Sequence, residues 1–312
     1  MEQRNNTLAF INAQIQTQPE AFVTACEARF QSIVDDAAEQ IVSVNGRCIV
    51  MLAGPSASGK TTTAHKIAEA VQKRGNACYV ISLDDFYLNR AEVPGYAEGK
   101  PDFETVYALD LPLLHTVLPQ LLRGEATELP MFDFTIGKRA KVGKRLQLEP
   151  QDTIIVEGLH ALNPIITDVF PPDMLLRLYI SVSSRIYSDC GEVLLNKRAL
   201  RFMRRLVRDY LFRASSAQNT LELWKNVRRG EDRYLFPYEE LADIRIDSTH
   251  LYEPALFASL VRQLLQKEHI PAEFKAQTDA ILSVLSNFEP LADEFVPKDS
   301  LLREFIGQGA GL

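Results

Sequence analysis

The chain lacks any apolar run that approaches the length of a membrane span. Roughly 18 consecutive apolar residues are needed to cross a bilayer, and no segment of the 312 residues comes near that length. The polar N-terminus, MEQRNNTLAFINAQ, does not have the pattern of a secretory signal peptide. We therefore expect a cytoplasmic protein with no membrane partner.

Cysteine is also scarce, and its spacing excludes two further classes of protein. The cysteines form no C-x-x-C pair, and two of them lie in apolar, strand-like runs. This pattern is typical neither of a disulfide scaffold nor of a zinc site. Free thiols in a reducing compartment are therefore expected at Cys26, Cys48, Cys78 and Cys190.

Positive charge is in deficit, because the formal net charge is −7. This balance argues against a broad surface for nucleic acid, although a local basic site remains compatible with it. The chain also shows no internal repeat and no low-complexity segment. We expect a globular protein that has no nucleic-acid partner.

The segments that are present alternate between strand-like and helix-like patterns. The strand-like runs are continuously apolar, as is typical of parallel strands that are buried on both faces: RCIVMLAG, NACYVISL, DTIIVEG, MLLRLYISV and LADIRIDS. The alternation predicts an α/β fold with a mostly parallel, doubly wound sheet and helices on both faces. A long basic helix is expected over about residues 192–212, and helices are expected from Glu253 to the end.

The sequence GPSASGKT follows the first apolar run and satisfies the pattern G-x-x-x-x-G-K-[ST]. Its glycines allow a tight turn whose N–H groups surround a phosphate, and the N-terminus of the next helix adds its positive dipole. A glycine-rich turn without a ligand is the alternative. The motif predicts a P-loop that binds ATP, or GTP, with Mg²⁺. The residues expected to contact the nucleotide are Gly54, Ser56, Ala57, Ser58, Gly59, Lys60, Thr61 and Thr62.

Other P-loop classes leave signatures that this sequence does not contain. There is no N-K-x-D motif for guanine, as a GTPase would have, and no strand that ends in the D-E pair of a motor ATPase. The strand IIVEG ends instead in one acid, Glu157. Glu157 is a candidate magnesium ligand, together with the Thr61 hydroxyl. Asp84 is a third candidate ligand. The alternative is an ordinary acid at a strand end.

The stretch SLDDFYLNR ends another apolar run with two acids and two aromatic residues. Ligands of doubly wound sheets bind at the carboxyl ends of the strands, so this run would deliver Asp84 toward the γ-phosphate if it neighbours the P-loop strand. A kinase needs a carboxylate there to accept the proton of the attacking hydroxyl. We predict that Asp84, rather than Asp85, is this base. An Asx turn with core aromatics is the alternative.

The basic helix places four arginines on one face, at Arg198, Arg201, Arg205 and Arg208. Their spacings of 3, 4 and 3 residues follow the helical repeat. Four like charges on one face repel one another unless a polyanion, such as ATP, or acids elsewhere in the protein meet them. A solvated face that is paired with surface acids is the alternative.

Six segments that occur in order resemble the uridine kinase and phosphoribulokinase group of P-loop kinases, and the uridine kinase branch most closely. The resemblance covers about residues 47–254 and is carried by GPSASGKTT, SLDDFYLNR, PDFETVYALD, PMFDFTIGKR, IIVEGLHAL and RRLVRDYLFR. It implies an ATP-dependent phosphotransferase that acts on the hydroxyl of a small, nucleoside-like molecule.

The resemblance also implies roles for individual residues. Asp84 matches the general base and Tyr87 the tyrosine of the D-x-F-Y motif at the acceptor site. Glu104 falls where uridine kinases have an acid that holds the ribose hydroxyls. Glu157 matches the acid near magnesium. Arg205 and Arg208 match arginines that contact the acceptor and the phosphates, as Lys60 also would. Arg213 resembles the arginine of the helical lid.

The resemblance weakens on the side of the pocket that would face the base. The family's base-side tyrosine and histidine are replaced by Phe132 and Gly137, and the position of a later glutamine falls near Leu223. Phe132 could stack on a base or belong to the core. Lys138 and Arg139 would suit a smaller or more anionic acceptor.

We therefore expect transfer of the γ-phosphoryl group, most readily to the 5′-hydroxyl of a ribonucleoside. The alternatives are a kinase of the same group that acts on a sugar phosphate or a pantothenate-like acceptor, and a silent nucleotide-binding regulator. The expected organisation is an N-terminal helical extension (1–45), a kinase core (46–254) with a lid at about 192–220, and a C-terminal helical extension (255–312). The C-terminal extension is expected to pack on the core, and either extension could pack there or form a homo-oligomer interface.

Overall fold

A five-stranded parallel sheet forms the centre of the structure, a computed structural model that describes residues 5–97, 99, 101–268 and 270–308. All of its strand pairs are parallel, so the carboxyl ends of the strands lie at one edge. In spatial order the strands are β11 (Ile244–Asp247), β8 (Leu175–Ser181), β1 (Cys48–Ala53), β7 (Thr153–Glu157) and β2 (Cys78–Ser82). Each strand lies within a run that the sequence predicted, which confirms the doubly wound α/β fold.

The sheet is covered on both faces, and its central strand shows why its sequence is continuously apolar. All six residues of β1 are buried. Val50 and Leu52 point into one core, whereas Ile49 and Met51 point into the other. This is the period-two alternation of a strand between two layers.

Helices fill the two layers and the ends of the chain. They are α1 (Leu8–Thr17), α2 (Pro19–Val42), α3 (Lys60–Gln72), α4 (Leu111–Leu122), α5 (Pro164–Thr167), α6 (Lys197–Phe212), α7 (Ala217–Tyr234), α8 (Glu253–Lys267), α9 (Ala272–Leu285) and α10 (Arg303–Ile306). Within the described part of the chain, none of these helices has the length and hydropathy that crossing a membrane requires.

Three short antiparallel pairs of strands lie outside the central sheet. They are β3 (Thr127–Leu129) with β6 (Lys144–Leu146), β4 (Phe132–Asp133) with β5 (Lys138–Arg139), and β9 (Ile186–Tyr187) with β10 (Val193–Leu195). The strand β10 corrects the prediction of a helix from residue 192. The helix α6 begins only at Lys197, where the Asn196 side chain accepts a hydrogen bond from the Ala199 N–H and caps it.

The N-terminal and C-terminal helices share one hydrophobic core with the sheet. Ile11 of α1, Phe30 of α2 and Phe305 of α10 are all buried in the cluster that contains Val50 of β1. The predicted boundaries of the extensions stay a prediction, and residues 1–4 and 309–312 lie outside the described residues.

Two smaller predictions have different outcomes. The prediction of free thiols is confirmed, with Cys26, Cys48 and Cys78 buried and Cys190 exposed. The prediction of helix from Glu253 to the end is wrong for residues 286–302, where the described chain contains turns and one short 3₁₀ helix. Pro290 and Pro297 lie in this segment, and proline has no N–H for a helical hydrogen bond.

The helix α6 is fixed to α8 by a fully buried ion pair. The Arg204 guanidinium donates to both carboxylate oxygens of Glu253, at 2.6 and 3.1 Å, and neither side chain is exposed. Arg204 also donates to the carbonyl oxygens of Ser248 and Ala57. One side chain therefore connects α6, α8, the segment after β11 and the P-loop.

We predict that Arg204→Ala lowers the free energy of unfolding by about 3–5 kcal/mol, because it leaves Glu253 buried without its partner. The matched control is Arg198→Ala, which removes a half-exposed pair with Asp232 from the same helix. That change should cost at most about 1 kcal/mol. Urea denaturation of both variants measures the difference, and equal losses would contradict the assignment.

Candidate active site

Two cavities meet at the carboxyl edge of the sheet. The smaller, of about 210 Å³, is lined by the P-loop and by charged side chains. The larger, of about 1010 Å³, is lined mainly by aromatic rings. Asp84, Tyr87 and Arg213 line both cavities. We call the smaller one the phosphate cleft and the larger one the aromatic cavity.

The P-loop connects β1 to α3 in the conformation that its glycines allow. A Cβ atom on Gly54 would lie 2.3 Å from the Ile180 carbonyl oxygen, so no larger residue fits there. Gly59 has a φ of +88°, and Ala57, which is not a glycine, has a φ of +60°. Backbone in this region costs energy for alanine, and the strain lies at the predicted phosphate site.

The predicted magnesium ligands Thr61 and Glu157 lie together. The Thr61 hydroxyl and the Ser82 hydroxyl both donate to one carboxylate oxygen of Glu157, at 3.1 Å each. Among the described residues, no cluster of three or more His, Cys, Asp or Glu side chains could hold a metal by itself. This pair of oxygen ligands nevertheless fits Mg²⁺, which typically takes one or two protein ligands together with phosphates and water.

The strand β2 does not neighbour the P-loop strand β1, because β7 lies between them. Asp84, which follows β2, nevertheless lines both cavities at the point where they meet. Its side chain reaches solvent through the open cleft. Surrounding protein atoms and, to a smaller extent, the negative charge of Glu157 raise its pKa to about 6, while the charge of Lys60 opposes this shift. A carboxylate with a pKa near the working pH is suited to accept a proton.

The neighbouring acid, Asp85, has a different task. Its carboxylate accepts a hydrogen bond of 3.1 Å from the backbone N–H of Phe132. This bond attaches β4 to the segment after β2. Of the two adjacent acids of SLDDFYLNR, Asp84 therefore faces the cleft and Asp85 holds the strand that contains Phe132.

The aromatic residues of that stretch and of β4 form one cluster. The ring of Tyr87 lies 6.2 Å from that of Phe103 and 5.9 Å from that of Phe132, and the ring of Phe132 lies 4.9 Å from that of Phe134. The Tyr87 hydroxyl donates to the Phe103 carbonyl oxygen. These rings line the aromatic cavity.

Glu104 lies in the phosphate cleft next to α7. Burial raises its pKa, and the charge of Arg205 opposes that shift. A Cβ atom on Gly230 would lie 2.6 Å from the Cβ atom of Glu104. Gly230 is therefore required for Glu104 to occupy its place, and the sequence pattern did not indicate this residue.

The arginines of α6 fall into two sets. Arg201 does not face the cleft, because its guanidinium forms a buried pair of hydrogen bonds with Glu231 at 2.7 and 2.8 Å. Arg205 and Arg208 do line the cleft. Of the alternatives for this helical face, pairing with acids elsewhere in the protein therefore holds for Arg201 and for Arg198, whose partner lies at the surface.

A buried acid gathers the cleft arginines. Asp209 has a side chain that is 3% exposed and forms ion pairs with Arg205 at 3.1 Å, Arg213 at 3.3 Å and Arg208 at 3.6 Å. The contacts of Arg205 and Arg208 with Asp209 are made by their buried Nε atoms, without the alignment of a hydrogen bond. Guanidinium groups that line a cleft fit the oxygen atoms of a phosphate chain.

Two residues of the predicted site have partners elsewhere. Arg139, a predicted acceptor residue, pairs with Asp110 at 3.0 Å and is not among the described residues that line either cavity. The Thr62 hydroxyl, predicted to contact nucleotide, donates to Glu304 at 2.8 Å. Glu304 lies in α10, which sequence reasoning did not connect with the P-loop.

The site has the features of a P-loop kinase. A P-loop follows β1 of a parallel sheet, Glu157 ends the neighbouring strand β7, and arginines line the cleft. The model of the Phosphoribulokinase / Uridine kinase family matches residues 49–252. The chain belongs to this family. It is therefore a nucleotide-binding phosphotransferase that acts on a hydroxyl group.

Curated relatives agree with this assignment. The chain is 32% identical over 197 residues to a protein named uridine kinase from Lactobacillus helveticus, an alignment that covers 63% of this chain and 84% of the relative. It is 27% identical over 209 residues to a uridine kinase from Deinococcus deserti, with coverage of 67% and 91%.

A solved structure described as a possible uridine kinase from Bacillus stearothermophilus is similar in fold. The comparison has a TM-score of 0.50 and 20% identity, and covers 70% of this chain and all of that one. The segments outside the family match include α1, α2, α9 and α10.

We predict that Gly230→Ala lowers kcat/KM for the acceptor by about 10- to 100-fold, because the new methyl group displaces Glu104. Affinity for ATP, measured without acceptor, should stay near that of the unmodified protein. Asn226→Ala, one turn earlier on the exposed side of α7, is the control. Equal steady-state kinetics for both variants would contradict a role for Glu104 at the acceptor.

Proposed function

We propose that the protein transfers the γ-phosphoryl group of ATP to the 5′-hydroxyl of a ribonucleoside. The observation that carries this proposal is the location of Asp84 where the phosphate cleft and the aromatic cavity meet. An acceptor in the aromatic cavity would present its hydroxyl to Asp84 and to the γ-phosphate at the same time. Alignment of this kind supplies a large part of the rate enhancement in phosphoryl transfer.

The transfer is a single in-line displacement. The acceptor oxygen forms a bond to the γ-phosphorus, and the bond to the bridging oxygen of the β-phosphate breaks. Asp84 accepts the proton of the hydroxyl, and ADP leaves with the electron pair. Lys60, Arg205 and Arg213 lie where they can compensate the charge on the transferred group.

Thr61 and Glu157 would hold Mg²⁺, which when bound compensates charge on the β- and γ-phosphates. Ser82 donates to the same Glu157 oxygen and so orients this carboxylate. Orientation of a ligand by a neighbouring hydrogen bond typically matters for affinity.

The acceptor side supports a molecule with an aromatic end and a polyhydroxyl end. Tyr87, Phe103, Phe132 and Phe134 provide rings on which a base can stack. Glu104 provides a carboxylate for ribose hydroxyls. The relatives named uridine kinase support the same class of acceptor.

The base end of this pocket differs from the family pattern for a local reason. Gly137, where uridine kinases have a histidine, takes a φ of +64° in the turn between β4 and β5. Its N–H donates to the Asp133 carbonyl oxygen and its carbonyl accepts from the Arg90 N–H. A histidine would be strained in this conformation, so recognition of the base would depend on stacking more than on a side-chain hydrogen bond there.

We predict that Asp84→Asn abolishes transfer but retains ATP binding. For the unmodified protein, kcat/KM should fall about tenfold per pH unit below pH ~6, since the base acts only when it is deprotonated. If the pKa of Asp84 were that of an ordinary aspartate, kcat/KM would begin to fall only below about pH 4. Steady-state rates from pH 4.5 to 8.5 measure this profile.

Protein stability separates loss of chemistry from loss of fold. The raised pKa means that the folded protein holds this proton more tightly than the unfolded chain. The ionised carboxylate therefore costs stability above pH ~6, and Asp84→Asn should be at least as stable at pH 8. Near-normal turnover in this variant would refute the assignment of the base.

The acceptor is tested by ATP consumption with Mg²⁺ in the presence of uridine, cytidine, purine nucleosides and sugar phosphates. We expect stimulation by uridine or cytidine, with the 5′-monophosphate as product. Stimulation by a sugar phosphate alone would favour the second acceptor class, for which Arg90 and Arg213 in the aromatic cavity are candidate anchors. ATP binding without turnover on any acceptor would refute the proposed transfer.

A further inference from the structure

The C-terminal segment Ser300–Gly307 lies directly on the P-loop. A Cβ atom on Gly59 would lie 2.6 Å from the Leu301 Cδ1 atom, so this leucine packs against the backbone of the loop. The Phe305 ring lies 5.8 Å from the guanidinium carbon of Arg208. The segment is far from the P-loop in sequence and outside the residues that match the family model.

The segment is held in a defined position by its own contacts. Leu301 and Phe305 are fully buried. The Ser300 hydroxyl donates to Glu27 of α2 at 2.6 Å. The Arg303 guanidinium donates to backbone carbonyl oxygens that include those of Pro297 and Gly307. A docked element with this many contacts presents its side chains in a fixed direction.

Glu304 is the side chain that this segment presents to the phosphate cleft. One carboxylate oxygen accepts from the Thr62 hydroxyl at 2.8 Å, and the other accepts from an Nη1 atom of Arg208 at 3.2 Å. The side chain is 21% exposed and lines the cleft. The carboxylate therefore occupies two hydrogen-bond donors, on Thr62 and Arg208, that are predicted to bind the phosphate chain of a nucleotide.

The positioning of Arg208 does not depend on this carboxylate. Arg208 is also paired with Asp209 at 3.6 Å and lies against the Phe305 ring. A negative charge a few ångströms from the phosphates of a nucleotide opposes binding, and the effect is smaller where water screens the charge. The expected net effect of Glu304 on nucleotide affinity is therefore unfavourable.

We infer that Glu304 is an affinity-determining residue of the nucleotide site. Its carboxylate holds Thr62 and Arg208 before nucleotide binds, and the nucleotide phosphates must displace it from both donors. The C-terminal segment thereby weakens the affinity that the P-loop would have without it. The inference depends on nucleotide binding and not on the identity of the acceptor.

The test is isothermal titration calorimetry of the full chain with Mg²⁺ and without acceptor. Glu304→Gln removes the charge and keeps the shape. We expect it to bind ATP and inorganic triphosphate about tenfold more tightly, a gain of about 1.4 kcal/mol. Affinity for adenosine should not change. The control is Asp299→Asn, which removes a charge of the same sign whose partner is Lys66, outside the cleft.

Ionic strength provides a second measurement. The effect of a charge decreases as salt screens it. The ratio of the ATP dissociation constants of the unmodified protein and Glu304→Gln should therefore approach one as KCl is raised from about 50 to about 500 mM. Equal or weaker binding of ATP by Glu304→Gln would overturn the inference. A gain for adenosine as large as that for triphosphate would also overturn it, because Glu304 would then act on the nucleoside end.

Discussion

The site depends on two buried arginine–glutamate pairs that hold the outer side of the P-loop. Glu231 accepts from Arg201 and also from the Ser56 N–H, while Arg201 donates to the Ser56 carbonyl oxygen. Arg204, paired with Glu253, donates to the Ala57 carbonyl oxygen. Buried pairs are costly to desolvate, but breaking one leaves an uncompensated charge. The pairs therefore tie the strained loop to α6, α7 and α8, and the loop keeps its shape only while these helices stay in place.

The same helix that supports the loop also supplies cations to the cleft. One side of α6 carries both the buried Arg201 and Arg204 and the cleft residues Arg205 and Arg208. The rest of its circumference carries the apolar residues Leu200, Met203 and Leu206. A rigid movement of α6 would break the bonds to the loop. The lid expected over about residues 192–220 therefore has a fixed part, and we expect closure to involve the Arg213 side chain, which is 54% exposed.

Much of the fold and of the donor site could be predicted because the signals are local. The P-loop motif, the apolar strands and the acids that end them, Asp84 and Glu157, each lie within a few consecutive residues. Gly230, Glu231 and Glu304 could not be found in this way, since their partners are distant in sequence and nothing in their own surroundings marks them. Helical periodicity correctly placed Arg201 and Arg205 on one face. It could not show that Arg201 pairs with the buried Glu231 whereas Arg205 lines the cleft.

The acids of the cleft explain why its charges are balanced rather than simply positive. Asp84, Glu104 and Glu157 are each proposed to serve a different part of the reaction, namely the proton, the acceptor and the metal. Surrounding protein atoms, which partly displace water, raise the pKa of the first two, and this is the cost of keeping carboxylates in such a site. Lys60 and the arginines around Asp209 offset these charges before any ligand arrives. Because each of these three acids has a proposed role in the transfer, Glu304 of α10 differs from them: its charge is inferred to oppose the phosphates without serving the transfer.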